Sequence, residues 1–486
     1  MESAPVVLHL EEARYLAEYA LKQAELMGAS YAEARTHSTR GREYALKNGE
    51  PQPSFFGESF GIGIRVIVDG SLGFSATNSM KRESVREIVR LSVKLAKASS
   101  VLLKKPITFD SSKVVKRKVV ADEKEKIEGA DSGWLRGVLQ EVESRVAGGR
   151  AGVDIPGRTM GIGASLEEKY YVNTDGASVV ARVPRLEFFG FLTAMESGEV
   201  AQRAVHVGET GGLEVVKRTG LVERVEEEAR ILGKVIRSST KPPNDTVDVI
   251  LSPELSGIAA HESVGHPQEA DRVLGREGAQ AGESYLKADS LGTKIGSGEA
   301  NVSDDPTLPH SFGFAPVDDE GVEGRKRRLI KEGVINEFLH NRQTAIEFGV
   351  ESNGASRAVS FDREPIIRMS NTFVEPGDYT FDELVREVRH GVYFKSFTEW
   401  NIDDKRLNQR YVALEAYLIE GGEMKGLVKA PVLEITTPRL WGSVAARSRR
   451  LVFDAATCGK GDPMQGAPVW TGGPDTLLRS IRLGSR

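Results

Sequence analysis

Cysteine is almost missing from this chain: there is one in 486 residues. A lone Cys458 cannot close an internal disulfide, so oxidative stapling is excluded and a cytoplasmic setting is expected. No apolar run approaches the ~18 residues needed to span a bilayer. Met1-Glu2-Ser3 lacks the basic region of a signal peptide, and the segment that follows is charged. An excess of positive charge is also absent, with Lys+Arg 65 against Asp+Glu 70 and a net charge of -5. The short basic run from Lys113 to Lys118 neither repeats nor interleaves with aromatics. It reads as a solvated loop or edge strand, and no direct contact with nucleic acid or membrane is expected.

Glycine, in contrast, is abundant at 51 residues, which points to tight turns and short strands rather than long helical bundles. The length exceeds one ordinary core and predicts two or three domains. Residues 8–28 carry apolar side chains at helical spacing, with Gly28 as a stop. Strands are expected at Tyr31 to His37 and Arg42 to Leu46, followed by the turn Asn48-Gly49. Phe60 to Val68 and Leu72 to Thr77 flank Asp69-Gly70 as a hairpin with a type I′ turn. Asn78 or Ser79 is placed to cap a helix over 80–98.

The pair Gly61-x-Gly63 lacks the third glycine and the following helix of a dinucleotide site. Close packing across a sheet is the better account. A glycine-interrupted helix is expected over 123–147. Strands surround the turn Asn173-Thr174-Asp175-Gly176 and continue through 186–207, and an amphipathic helix covers 221–237. Thr240-Lys241-Pro242-Pro243-Asn244-Asp245 is the clearest boundary, because adjacent prolines fit neither a helix interior nor a central strand. It divides the chain into 1–240, with a possible further split near 100–120, and 241–486. The fold class is α+β. The first part reads as an α/β region of hairpins and amphipathic helices, expected to contribute the substrate cavity and dimer contacts. The second reads as mostly antiparallel β with an embedded functional helix. Val247, Val249 and Leu251 alternate as a short strand, and Ser252-Pro253-Glu254 then opens that helix.

The helix carries His261-Glu262-Ser263-Val264-Gly265-His266. Only here do two of the eight histidines fall within six residues. Two imidazoles and a thiolate suit zinc and leave a fourth position for water, with Glu262 beside them to take its proton. That is metal-hydrolase chemistry, most simply a peptidase. The spacing is awkward. Five residues of ideal α-helix turn ~500°, so the two imidazoles would diverge by ~140°. A π-like or broken turn at 263–266, with Gly265 absorbing the distortion and Pro267 ending the helix, would bring them together. The plainer alternative is a surface pair between Glu262 and His266 at i and i+4. Candidates for a third ligand are Cys458, Glu269, Asp271, His310 and His340. Cys458 is favoured because thiolate binds zinc tightly and glycine follows it; Glu269 is the best substitute. His310 is a candidate donor to a tetrahedral intermediate, His340 a candidate support for the site, and Asp319, in an acidic turn, a candidate contact to a substrate amine.

These motifs resemble the TldD/PmbA family of zinc metallopeptidases, and its catalytic TldD branch in particular. The likeness runs through Gly63-Ile64-Arg65-Val66, Asp69 to Phe74, His261 to His266, Ser303 to Pro309, Asp318 to Gly321, Phe338-Leu339-His340, Met369 to Thr372 and Cys458-Gly459-Lys460. It implies Zn2+ held by His261, His266 and Cys458, with Glu262 as general base. It implies substrates that are unfolded or extended peptides, and either a homodimer or a heterodimer with a non-catalytic TldE/PmbA-like subunit. Two departures stand out. The stretch Gly461 to Gly466 is longer than the family's turn, and Pro267-Gln268 replaces small or apolar residues. The competing readings are a metal-dependent amidase for small amides and a non-catalytic scaffold subunit; the latter has no need of His261, Glu262, His266 and Cys458 together.

Overall fold

A computed structural model describes residues 10–110, 113–148, 152–238, 240–278 and 282–485. Residues 8 and 9 of the expected first helix lie outside them. Three large sheets, a two-stranded one and the helices packed on them organise the described residues.

The first sheet has eight strands. Its central path runs Ser71–Thr77, Phe55–Val68, Tyr31–Lys47, Asp154–Asn173, Ser178–Glu196. Glu199–Thr210 and the parallel strand Lys116–Val120 share the far edge of Ser178–Glu196. The basic run therefore ends in an exposed edge strand. Tyr31–Lys47 is one strand where two were expected. It is paired along its length on both sides, by Phe55–Val68 and Asp154–Asn173, and this pairing carries it through the polar middle. The hairpin turn has both central residues at positive φ, Asp69 at 52° and Gly70 at 73°, as a type I′ turn requires.

Two pairs of helices cover this sheet. Leu10–Leu26 and Arg82–Ser100 bury Leu16, Ala20, Val85, Val89 and Val93 against Ile62, Ile64 and Val66. Ser132–Ala147 and Leu221–Ile236 bury Leu135, Leu139, Val225 and Leu232 against Ile162, Phe188 and Leu192. Two helix starts differ from expectation. Arg82–Ser100 begins after Lys81 with no side-chain cap, because Ser79 bonds Ser84 at 2.8 Å instead. Ser132–Ala147 starts at the Asp131 cap, which accepts from Trp134 N, while Glu123 is used to hold Ile127 N at 3.0 Å. Gly61 and Gly63 do mark a close approach. A Cβ on Gly63 would lie 2.3 Å from the carbonyl oxygen of Phe361.

Beyond residue 245 a nine-stranded sheet is centred on Thr246–Leu251, which lies parallel to His390–Phe394 and antiparallel to Thr476–Ser485. A six-stranded sheet ends in the antiparallel pair Gln465–Gly473 and Val452–Lys460. Most other pairings are antiparallel, as the turn-rich sequence implies; Asn371–Val374 runs parallel to Gln465–Gly473. The helix Pro253–Ala260 links the two sheets. Ser252 caps it by accepting from Leu255 N. Gly257 lets its backbone press against the six-stranded sheet, since a Cβ there would meet Gly472 N at 2.5 Å. That contact aims the end of the helix at the strand carrying Cys458.

Candidate functional site

The helix does not continue regularly. His261–Gly265 forms a π-helical turn, and His266–Gln268 closes it as a 3₁₀ turn. The extra residue in the wider turn offsets the i,i+5 spacing and brings the two rings edge to face, 4.9 Å between centroids. Gly265 contributes differently from expectation. Its φ of -58° and ψ of -61° are ordinary helical values. What it supplies is space: a Cβ would lie 1.9 Å from Met369 Sδ. Ser263 anchors the turn by donating to Ala259 O at 2.6 Å and accepting from Trp441 Nε1 at 3.0 Å.

Cys458, on Val452–Lys460, completes a cluster. Ligand atoms of His261, His266 and Cys458 all lie within 4.8 Å of one another, and all three residues are buried. Cys458 Sγ is 3.4 Å from His266 Nε2. Burial lowers the pKa of both imidazoles and so favours the neutral form that a metal needs. Burial alone would push the Cys458 thiol up, but His266 and Arg368 outweigh it and bring it to about 7. Arg368 also donates to the Cys458 carbonyl oxygen. His261 Nδ1 is buried with no hydrogen-bond partner among the described residues. Two buried imidazoles, a thiol in contact with one of them and an orphaned ring nitrogen form a donor set that fits a zinc ion.

Glu269, the substitute ligand in the sequence reading, sits on the other side of His266. Its Oε2 lies 3.0 Å from His266 Nδ1 and 2.7 Å from Arg272 Nε. Burial raises its pKa, but Lys460, His266 and Arg272 hold it well below the usual carboxylate range. An ionised carboxylate only accepts, so Nδ1 carries the proton and Nε2 is left bare toward Cys458. Asp271 accepts from Lys460 Nζ at 2.8 Å rather than joining the cluster.

The cluster opens on a cavity of about 610 Å³. Glu262 lines it and forms an ion pair with Arg406. Arg406 sits in the turn of the hairpin Phe397–Ile402 and Asn408–Ala413, with φ at 63°. Sequence reasoning missed it, because Asp403-Asp404-Lys405-Arg406 looks like any solvated charged turn. His310, His340 and Asp319 do not line this cavity. His310 takes a positive φ of 61°, and its carbonyl oxygen accepts from Thr210 N. His340 packs against Phe338 and Phe348 and bonds Thr344 at 3.2 Å. Burial pushes its pKa down to about 4. Asp319 accepts from Lys169 at 3.1 Å and from Ala358 N at 2.8 Å.

Family models for the C-terminal domain and for domain 1 of the PmbA/TldA metallopeptidases match residues 244–485 and 32–96. The chain belongs to the TldD/PmbA family. A metalloprotease of Methanocaldococcus jannaschii is 29% identical over 444 residues, covering 91% of this chain and 94% of that protein. A protein of Saccharolobus solfataricus named a zinc metalloprotease TldD homolog is 26% identical over 472 residues, covering 96% and 98%. The crystal structure of TldE from Thermococcus kodakarensis superposes with a TM-score of 0.72 at 19% identity, covering 97% of this chain and 100% of that one. At that identity the likeness to TldE is one of fold. The TldD/PmbA C-terminal match spans the histidine turn and Cys458 alike. Among the described residues, no helix is long and apolar enough to cross a membrane.

Proposed function

We propose that this chain is a catalytic, TldD-like zinc peptidase acting on unfolded or extended peptides. The observation that carries the reading is the π-turn convergence of His261 and His266 on Cys458, with Glu262 lining the same cavity. His261, His266 and Cys458 would hold the ion. When bound, zinc supplies Lewis acidity that acidifies water and polarises a carbonyl. Glu262 takes the proton of the attacking water and delivers it to the leaving amine. Arg406 fixes the Glu262 carboxylate and brings positive charge into the cavity, where an oxyanion develops during attack. Glu269 fixes the His266 ring.

The likeness in fold to TldE supports a second subunit of that kind as partner, and the single cysteine fits a reducing cytoplasm. It also supports a second reading, a non-catalytic scaffold subunit. The two readings part on one experiment. Purified full-length chain is tested for zinc content and for cleavage of an unfolded protein, alone, with chelator, and as Cys458→Ala and Glu262→Ala. About one zinc per chain, sharply weakened in Cys458→Ala, is expected. Glu262→Ala should keep zinc and lose cleavage. A zinc-free chain that cleaves nothing, alone or with a TldE-like partner, would establish the scaffold.

A further inference from the structure

Six ionic side chains line the cavity in front of the His261, His266 and Cys458 cluster, and each has an opposite charge beside it. Arg203 pairs with Glu254 at 2.7 Å and also with Glu228 outside the lining at 2.7 Å. Arg224 pairs with Asp454, and Arg406 with Glu262. A charged side chain entering this space would lose its water and find each counter-ion already engaged, which is costly.

The aromatic lining is in the opposite condition. Phe189 and Phe191 alternate on Ser178–Glu196 and point away from the core, which Phe188 and Leu192 fill from the other face. Phe189 is 47% exposed, Phe191 37% and Trp400, on the facing hairpin, 37%. Half-buried Phe397 and Ile258 continue the surface. Phe189 meets His206 edge to face, 6.2 Å between centroids, yet it stays part-exposed like Phe191 and Trp400. Large part-exposed rings in an otherwise charge-balanced cavity are available contact area, and aromatic rings carry the largest apolar payload of any side chain.

We propose that this wall is a specificity subsite that takes an apolar side chain, aromatic or large aliphatic, of a peptide lying across the cluster. The proposal rests on the peptidase reading for its substrate and names the class that reading leaves open. The rings favour a side chain over a protein partner because they share a cavity with His261, Glu262, His266 and Cys458 rather than lying on an outer face.

The probes are four end-blocked, fluorescently labelled octapeptides of glycine, serine and threonine that differ in one central residue: Phe, Leu, Asp or Lys. Their dissociation constants are measured by anisotropy on zinc-loaded full-length Glu262→Ala and on the chelated wild-type chain. The Phe and Leu peptides should bind at least about tenfold more tightly than the Asp and Lys peptides, the factor expected for partial burial of one large apolar side chain. In F189A/F191A that advantage should collapse while binding of the Lys peptide stays unchanged. Equal binding of the four peptides, or preference for Asp or Lys, overturns the subsite without recourse to any variant. So does discrimination that persists in F189A/F191A, or a change in solution mass of that variant with discrimination intact, which would make the rings a subunit contact. Discrimination in binding with no cleavage by the wild type refutes the peptidase reading and keeps the subsite. Cleavage of the four peptides at equal efficiency does the reverse.

Discussion

Glu269 Oε2 lies 3.0 Å from His266 Nδ1, on the side of the ring away from Cys458. One carboxylate thereby sets the tautomer of the imidazole three residues earlier and ties it to Arg272 and, at 3.4 Å, to Lys460. Lys460 is two residues beyond Cys458 on the same strand, so the turn and the strand are locked into one unit. Removing the charge while keeping the shape should loosen that lock. Glu269→Gln is expected to weaken zinc affinity by about 10–100-fold, as measured by chelator competition. Unchanged affinity would mean that packing alone orients His266.

Arg406 offers a second test at the opposite wall. Arg406→Met should leave zinc content intact and lower kcat/KM by about a hundredfold, the scale seen when a donor to a developing oxyanion is removed. Arg406→Lys should restore part of the loss, since it returns the charge without the planar fork. The measurement is steady-state cleavage of one unfolded substrate beside metal analysis. Full activity in Arg406→Met would limit the ion pair with Glu262 to the resting chain.

Gly265 is required for space rather than for unusual angles. Gly265→Ala should therefore cost about 1–3 kcal/mol through overpacking against Met369. In a Met369→Ala background, taken as its own reference because emptying that core position is costly, the same change should cost much less, since the clash is with that one sulfur. Chemical denaturation of the two single variants and the double variant reads the difference. An equal cost of Gly265→Ala in both backgrounds would place the strain in the π turn itself.

His340 predicts a pH dependence of stability. Burial lowers its folded pKa to about 4 from the ordinary 6.5. Between these values the unfolded chain binds the extra proton, so stability falls as pH drops from about 6.5 to about 4 and is fully present above 6.5. His340→Leu removes that contribution. The stability difference between wild type and variant should change by on the order of 3 kcal/mol across this window. A pH-independent difference would show that the ring keeps its ordinary affinity for protons in the fold.

Local chemistry in the sequence was enough to place the elements that support the site. Ser252 and Pro253 start the helix, Asp69-Gly70 closes a hairpin, and the mismatch between an i,i+5 pair and 3.6 residues per turn already demanded a widened turn. Those are short-range constraints, and short-range rules resolve them. The middle of Tyr31–Lys47 was illegible, because its polar residues are held extended by neighbours far along the chain. So were the use of Gly265, which depends on Met369 over a hundred residues later, and the role of Arg406, whose turn meets Glu262 only through the folding of two sheets onto one helix. Residue types and spacing determined what the cluster could bind. The packing of Pro253–Ala260 against Gly472 decided which side chains met there, because burial and charge partners are properties of the folded chain and not of its order.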